Sequence, residues 1–142
     1  MKKILKNVLI GICILSMTMG CQGDNSTVKK VAVVQYMEHT SLNTIKDAFD
    51  KQMEELGYQD NQNIEYIFKN AQGDNSIAAS ITQTFASENP DVVVAIATPV
   101  AQSVASLSST TPVVFAAVSD PIGAKLTSSL EKPDKNITGT SD

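Results

Sequence analysis

Val92-Val-Val-Ala-Ile96, followed at once by Ala97-Thr98-Pro99 and then by Val100, Val104 and Leu107, is the stretch that decides the fold. Five apolar residues without polar alternation predict a strand buried on both faces. Proline suits the first turn of a helix, where its missing N–H costs nothing. The apolar residues after it recur at helical spacing. Strand and helix therefore follow each other with almost no loop between them.

Outward from this unit the same alternation continues. Downstream, Pro112 opens a strand over Val113-Val-Phe-Ala-Ala117, and Ile122 to Leu130 are expected to form a short fourth helix. Asn136-Ile-Thr-Gly139 begins a further element. Upstream, Asp74 or Asn75 caps a helix with Ile77, Ile81 and Phe85 on its inner face, after a strand over Asn63-Ile-Glu-Tyr-Ile-Phe68. Before that, Leu42, Ile45, Phe49, Met53 and Leu56 mark a helix that carries its charges between them and ends at Gly57. Val31-Ala-Val-Val-Gln-Tyr36 supplies the first strand. Strands alternating with helices at this regularity predict βαβ units: an α/β domain with an open parallel sheet and right-handed crossovers covering both faces.

The amino-terminal end belongs to another regime. Lys2, Lys3 and Lys6 precede an uncharged run from Val8 to Met19, and Gly20-Cys21 follows. About a dozen apolar residues are short for a membrane span, which takes roughly 20, so the run reads as the core of a secretory signal over residues 1–20. Thr18-Met19-Gly20-Cys21 resembles a bacterial lipobox, with Thr18 where leucine is usual. Cleavage before Cys21 would leave a lipidated cysteine on the polar tether 21–29. A plain signal with an incidental cysteine and an uncleaved anchor helix are the alternatives. Cys13 would leave with the signal, so Cys21 would be the one cysteine of the mature chain and no internal disulfide can form.

Charge excludes several functions. The 142-residue chain has a net charge of −4, and −7 once residues 1–20, with three lysines and no acid, are set aside. It contains no arginine. A nucleic-acid partner would require a clustered basic surface, which is missing. The sequence also has no GxGxxG or GxxxxGK[ST] phosphate cradle and no GxSxG elbow. One histidine and one mature cysteine do not make a metal site of ordinary spacing, so no cofactor or metal is expected.

A parallel α/β sheet binds ligands beyond the carboxyl ends of its strands. The informative residues are therefore Glu38, His39, Thr40 and Ser41 after the first strand and Asn70 to Asp74, with Gln72, after the second. Thr98 follows the third strand, and Ser119 and Asp120 the fourth. Hydroxyls and free helix amides hold a carboxylate, while Glu38 or Asp120 holds an ammonium group. The candidate ligand set is Glu38, His39, Gln72, Thr98, Ser119 and Asp120. Each has a plainer role: Thr40, Ser41, Thr98, Ser119 and Asp120 as helix caps, His39 and Glu38 as solvated loop residues.

At these loops the chain resembles the ABC transporter substrate-binding proteins of the group that includes tryptophan- and tyrosine-type binding proteins. The matching stretches are Val33-Val-Gln-Tyr-Met-Glu-His39, Leu56-Gly-Tyr58 with Asn70-Ala-Gln-Gly-Asp74, and Val94-Ala-Ile-Ala-Thr-Pro99. They continue with Val113-Val-Phe-Ala-Ala-Val-Ser-Asp-Pro121, Leu130-Glu-Lys-Pro133 and Asn136-Ile-Thr-Gly-Thr-Ser-Asp142. The resemblance implies a periplasmic-binding-protein-like fold of type I with two lobes closing on a solute. Residues 30–133 would be the amino-terminal lobe and 134–142 the start of a crossover to a missing second lobe, which leaves one wall of the cleft. It also implies a non-enzymatic module on the extracytoplasmic face of the cell membrane, held there by lipid. That module would capture an aromatic or other small amino acid for an ABC permease and its ATPase. A ligand-sensing lobe serving a membrane signalling partner is the alternative. An enzyme built on Glu38-His39 comes third, because no nucleophile is placed beside them.

Overall fold

The computed structural model describes residues 28–133 and 135–142. The signal segment 1–20, Cys21 and the tether up to residue 27 lie outside the described residues. The elements are β1 (Lys29–Gln35), α1 (Thr40–Glu55), β2 (Ile64–Asn70), α2 (Asn75–Glu88), β3 (Val92–Ile96), α3 (Thr98–Val104), β4 (Val113–Ala116) and β5 (Ile137–Gly139). A 3₁₀ helix, Ala105–Ser109, continues α3.

All five strands are parallel, in the order β2-β1-β3-β4-β5. Alternate residues point to opposite faces, so the sheet carries two cores. On one face Val31, Val33, Val94 and Ile96 pack under Leu42, Ile45 and Phe49 of α1. On the other, Ala32, Val34, Val93 and Ala95 meet Ala78, Ile81 and Phe85 of α2 and Val100, Ala101 and Val104 of α3. Each fully buried valine, isoleucine or phenylalanine contributes about 1.5–3 kcal/mol. No residue of α1 is fully buried; it covers its face as an amphipathic cylinder.

Local chemistry sets the helix ends. Asp74, in extended backbone, accepts from the amides of Ser76 at 2.6 Å and Ile77 at 3.2 Å and caps α2. These amides hold its carboxyl below the usual carboxylate range. Gly57, at φ +87°, closes α1: its N–H donates to the Glu54 carbonyl while Tyr58 N–H donates to that of Met53. This is the paired bonding of a Schellman turn, and a left-handed residue is what it needs.

Two elements differ from the sequence reading. The short helix expected over Ile122 to Leu130 does not form; the segment is a run of turns. Asp120 accepts from Gly123 N–H through its side chain and from Ala124 N–H through its carbonyl, which starts a single turn. Lys125 then adopts φ +60°, which no right-handed helix passes through. Leu126 drops into the core instead of continuing a helical face. The second difference is that Ile137–Gly139 is a fifth strand, paired in parallel with β4 through Val113↔Ile137 and Phe115↔Gly139.

Candidate functional site

From β1 the chain moves outward through α1 to β2, then crosses back through α2 to β3 on the other side of β1. The strand order reverses between β1 and β3, and at such a point the loops part and leave a crevice. Gln35 and Ile96 are register partners at its floor, and Tyr36 N–H donates to the Ile96 carbonyl at 3.2 Å. Met37 and Glu38 leave on one side, Ala97 and Thr98 on the other.

The backbone along this edge is bent hard. Ala97, between β3 and α3, sits at φ +91°, ψ 152°, a region almost confined to glycine and costing about 1–3 kcal/mol for other residues. It is held by donation to the Ala116 carbonyl at 2.9 Å and by acceptance from Ala101 N–H at 3.1 Å. Ala117 after β4 and Gln72 after β2 are also left-handed, at φ +54° and +55°. Such strain concentrates at binding sites, and here it turns three loops sharply off one edge.

The predicted site residues divide into groups. Glu38 and Gln72 come together: with Met37 and Asn70 they line a concavity of about 430 Å³ over the β1 and β2 ends. Among the described residues the Glu38 carboxylate has no hydrogen-bond or ion-pair partner. Thr98 opens α3, and Ser119 is exposed beyond β4. Both lie on the same edge of the sheet but outside that concavity. Asp120 has one carboxylate oxygen engaged by Gly123 N–H at 2.8 Å. His39 precedes α1 in extended backbone, and its Nδ1 accepts from Ser41 N–H at 3.4 Å, so it caps that helix. Its Nδ1 is thus engaged structurally.

Sequence reasoning passed over Gln35 and Asn43. Gln35 is 1% exposed at the end of β1 and donates through Nε2 to the Met37 carbonyl at 2.7 Å and to Asn43 Oδ1 at 2.6 Å. The signal that could have found it is a glutamine closing an otherwise apolar run. Among the described residues no group of three or more His, Cys, Asp or Glu is arranged to hold a metal ion. Nor is any helix there long and apolar enough to cross a membrane.

An open parallel sheet with helices on both faces and a switch of strand order at its middle define a periplasmic-binding-protein-like lobe of type I. Comparison with known proteins agrees. The family profile described as "ABC transporter substrate binding protein" matches residues 30–142. A tyrosine-binding protein of Clostridioides difficile is 39% identical over 99% of this chain and 45% of its own length. A conserved domain protein from Vibrio cholerae superposes with a TM-score of 0.78 at 47% identity, over 81% of this chain and 39% of that one. An ABC domain from Streptococcus pneumoniae, solved in complex with L-Trp, superposes with a TM-score of 0.76 at 41% identity, over 80% and 38%. The chain belongs to the ABC transporter substrate-binding protein family. It spans less than half the length of these relatives. The family consists of solute-binding proteins, which work outside the cytoplasm, and not of enzymes.

Proposed function

We propose that this chain provides the amino-terminal lobe of an ABC importer's solute-binding component and takes an amino acid with an aromatic side chain. The observation that carries the reading is the concavity over the β1 and β2 ends, lined by unpaired Glu38 with Gln72, beside the β1/β3 switch point that Thr98 flanks from the other side. A carboxylate beside hydroxyl and amide groups suits a zwitterion. The names of the tyrosine-binding relative and of the L-Trp complex supply the aromatic class. Delivery runs to a permease and its ATPase, and a lipid on Cys21 tethers the lobe to the outer face of the membrane. Residues 30–133 form the lobe, and 134–142, which include β5, lead on toward a second lobe that closes the cleft.

In residues 30–142 taken alone, one wall of the cleft faces water, and every ligand hydrogen bond there competes with it. Each is worth about 1 kcal/mol, so a few missing contacts cost orders of magnitude in affinity. NMR titration of the isotope-labelled chain with L-tryptophan, L-tyrosine and D-glucose tests the reading. The amino acids are expected to bind with a Kd of about 1 mM or weaker and to move the amides of Glu38, Gln72, Thr98 and Ser119, while glucose leaves them still. Amino-acid shifts confined to other surfaces would sink the assignment. Separately, Cys21→Ser should release the protein from cell membranes, and a variant that stays membrane-bound would remove the lipid anchor from the account.

A further inference from the structure

Gln35 closes β1 and forms part of the lining of a second concavity, of about 250 Å³, together with Glu38, Asn43, Asp47, Phe68 and Asn70. It adjoins the first through Glu38 and Asn70. The orientation of the Gln35 amide is fixed by its neighbours. Met37's carbonyl can only accept, so Nε2 faces it, and its second hydrogen goes to Asn43 Oδ1. Oε1 is left buried with no hydrogen-bond partner. A buried acceptor without a donor is rare, because folding strips its water and returns nothing.

The charges around this atom select what can satisfy it. Glu38 and Asp47 bring two carboxylates to the concavity. Its one cation, Lys46, is paired with Asp50 and lies over the Phe68 ring, 4.8 Å from the centroid. The unmet needs are therefore those of acceptors and anions. On the far side of the switch point Thr98 and Ser119 offer hydroxyls, beside the Asp120 carboxylate, of which one oxygen is taken by Gly123.

We infer that Gln35 Oε1 and the Glu38 carboxylate form the seat for the primary ammonium group of the solute. Asn43 acts as the positioning residue that holds the Gln35 amide. This inference rests on the amino-acid reading above and adds a direction to it. The ammonium points toward β1 and β2, and the carboxylate, carried on the same carbon, turns to the β3 side of the switch point. The seat discriminates against deaminated analogues, which would leave the buried oxygen unmet and bring an anion beside two others.

Two probes that each lack one end of the zwitterion separate the possibilities. The isotope-labelled full chain is titrated with tyramine, which keeps the ammonium, and with 3-(4-hydroxyphenyl)propionate, which keeps the carboxylate. Tyramine is expected to move the Gln35 side-chain amide signals and the backbone amides of Glu38 and Asn43; the acid should leave them in place. Gln35→Met should weaken tyramine about tenfold or more, as loss of a charge-assisted bond does. The wild-type titration decides the matter even if that variant folds poorly. A Gln35 signal that ignores tyramine, or answers the acid equally, overturns the seat and leaves water as the partner of Oε1. L-tyrosine shifts at Thr98 and Ser119 with Gln35 unmoved would overturn the seat while sparing the amino-acid reading. The absence of any L-tyrosine response along the edge would count against that reading, and the tyramine response would still judge the seat.

Discussion

Tyr66 shows how much a single buried atom reports. Its hydroxyl lies between α1 and β2 without a hydrogen-bond partner, and its ring meets Phe49 edge-on, with centroids 6.2 Å apart. Burial, and then the negative fields of Asp50, Asp60 and Glu54, push the phenol up to about 12. The folded value exceeds the unfolded one, so this group's contribution to stability is complete below pH ~10 and is lost as pH rises toward ~12. An absorbance titration should therefore find one tyrosine ionising well after the others. Tyr66→Phe should abolish that late phase and leave stability unchanged or raise it by up to ~1 kcal/mol, since no bond is broken. A clear loss of stability would mean the hydroxyl has a partner. The same scale shows where sequence reading stops. Gln35 looked like one more residue of a strand, and His39 like a ligand-binding group on a loop. Only the fold reveals that the first floors a concavity and the second caps a helix.

Among the elements, β5 is the one whose existence depends most on a single residue. A Cβ on Gly139 would stand 2.0 Å from the Phe115 carbonyl oxygen and 2.6 Å from its ring, in the middle of the β4/β5 ladder. Gly139→Ala should cost about 1–3 kcal/mol, as overpacking does, and should raise amide exchange at Thr138 and Thr140, whose N–H groups face β4, before the rest of the sheet responds. Unchanged exchange there would mean that β4 and β5 do not approach so closely. β1 to β4 and the three main helices were legible in the sequence because their apolar residues recur with clear periods and their ends carry Gly57, Asp74 and Pro99. β5 was not, because three residues are too few to show a period. The stretch from Ile122 misled for the opposite reason. It has a capping aspartate and a proline at its start, but Lys125 turns left-handed and Leu126 is buried, and neither can be read from residue type.

For the molecule as a whole, sequence pattern located the carboxyl-terminal edge of the sheet, since parallel strands must end together, but could not say which loop residues share a hollow. That depended on strand order, which the alternation of elements leaves open. The order has a further consequence. β1 is the first strand in the chain, yet it lies between β2 and β3, and the ion pair of Lys29 with Asp91 bridges 62 positions. No early hairpin can template such a sheet. The middle must wait until a chain more than twice the length of one βα unit is present, and each closure costs loop entropy before it is repaid. Parallel pairing between strands this far apart in sequence is intrinsically slow. Until Val92 to Ile96 arrives, β1 has an open flank and little to hold it. A polypeptide built this way stays pliant until its third strand is made, a useful property in a family whose members do their work beyond a membrane.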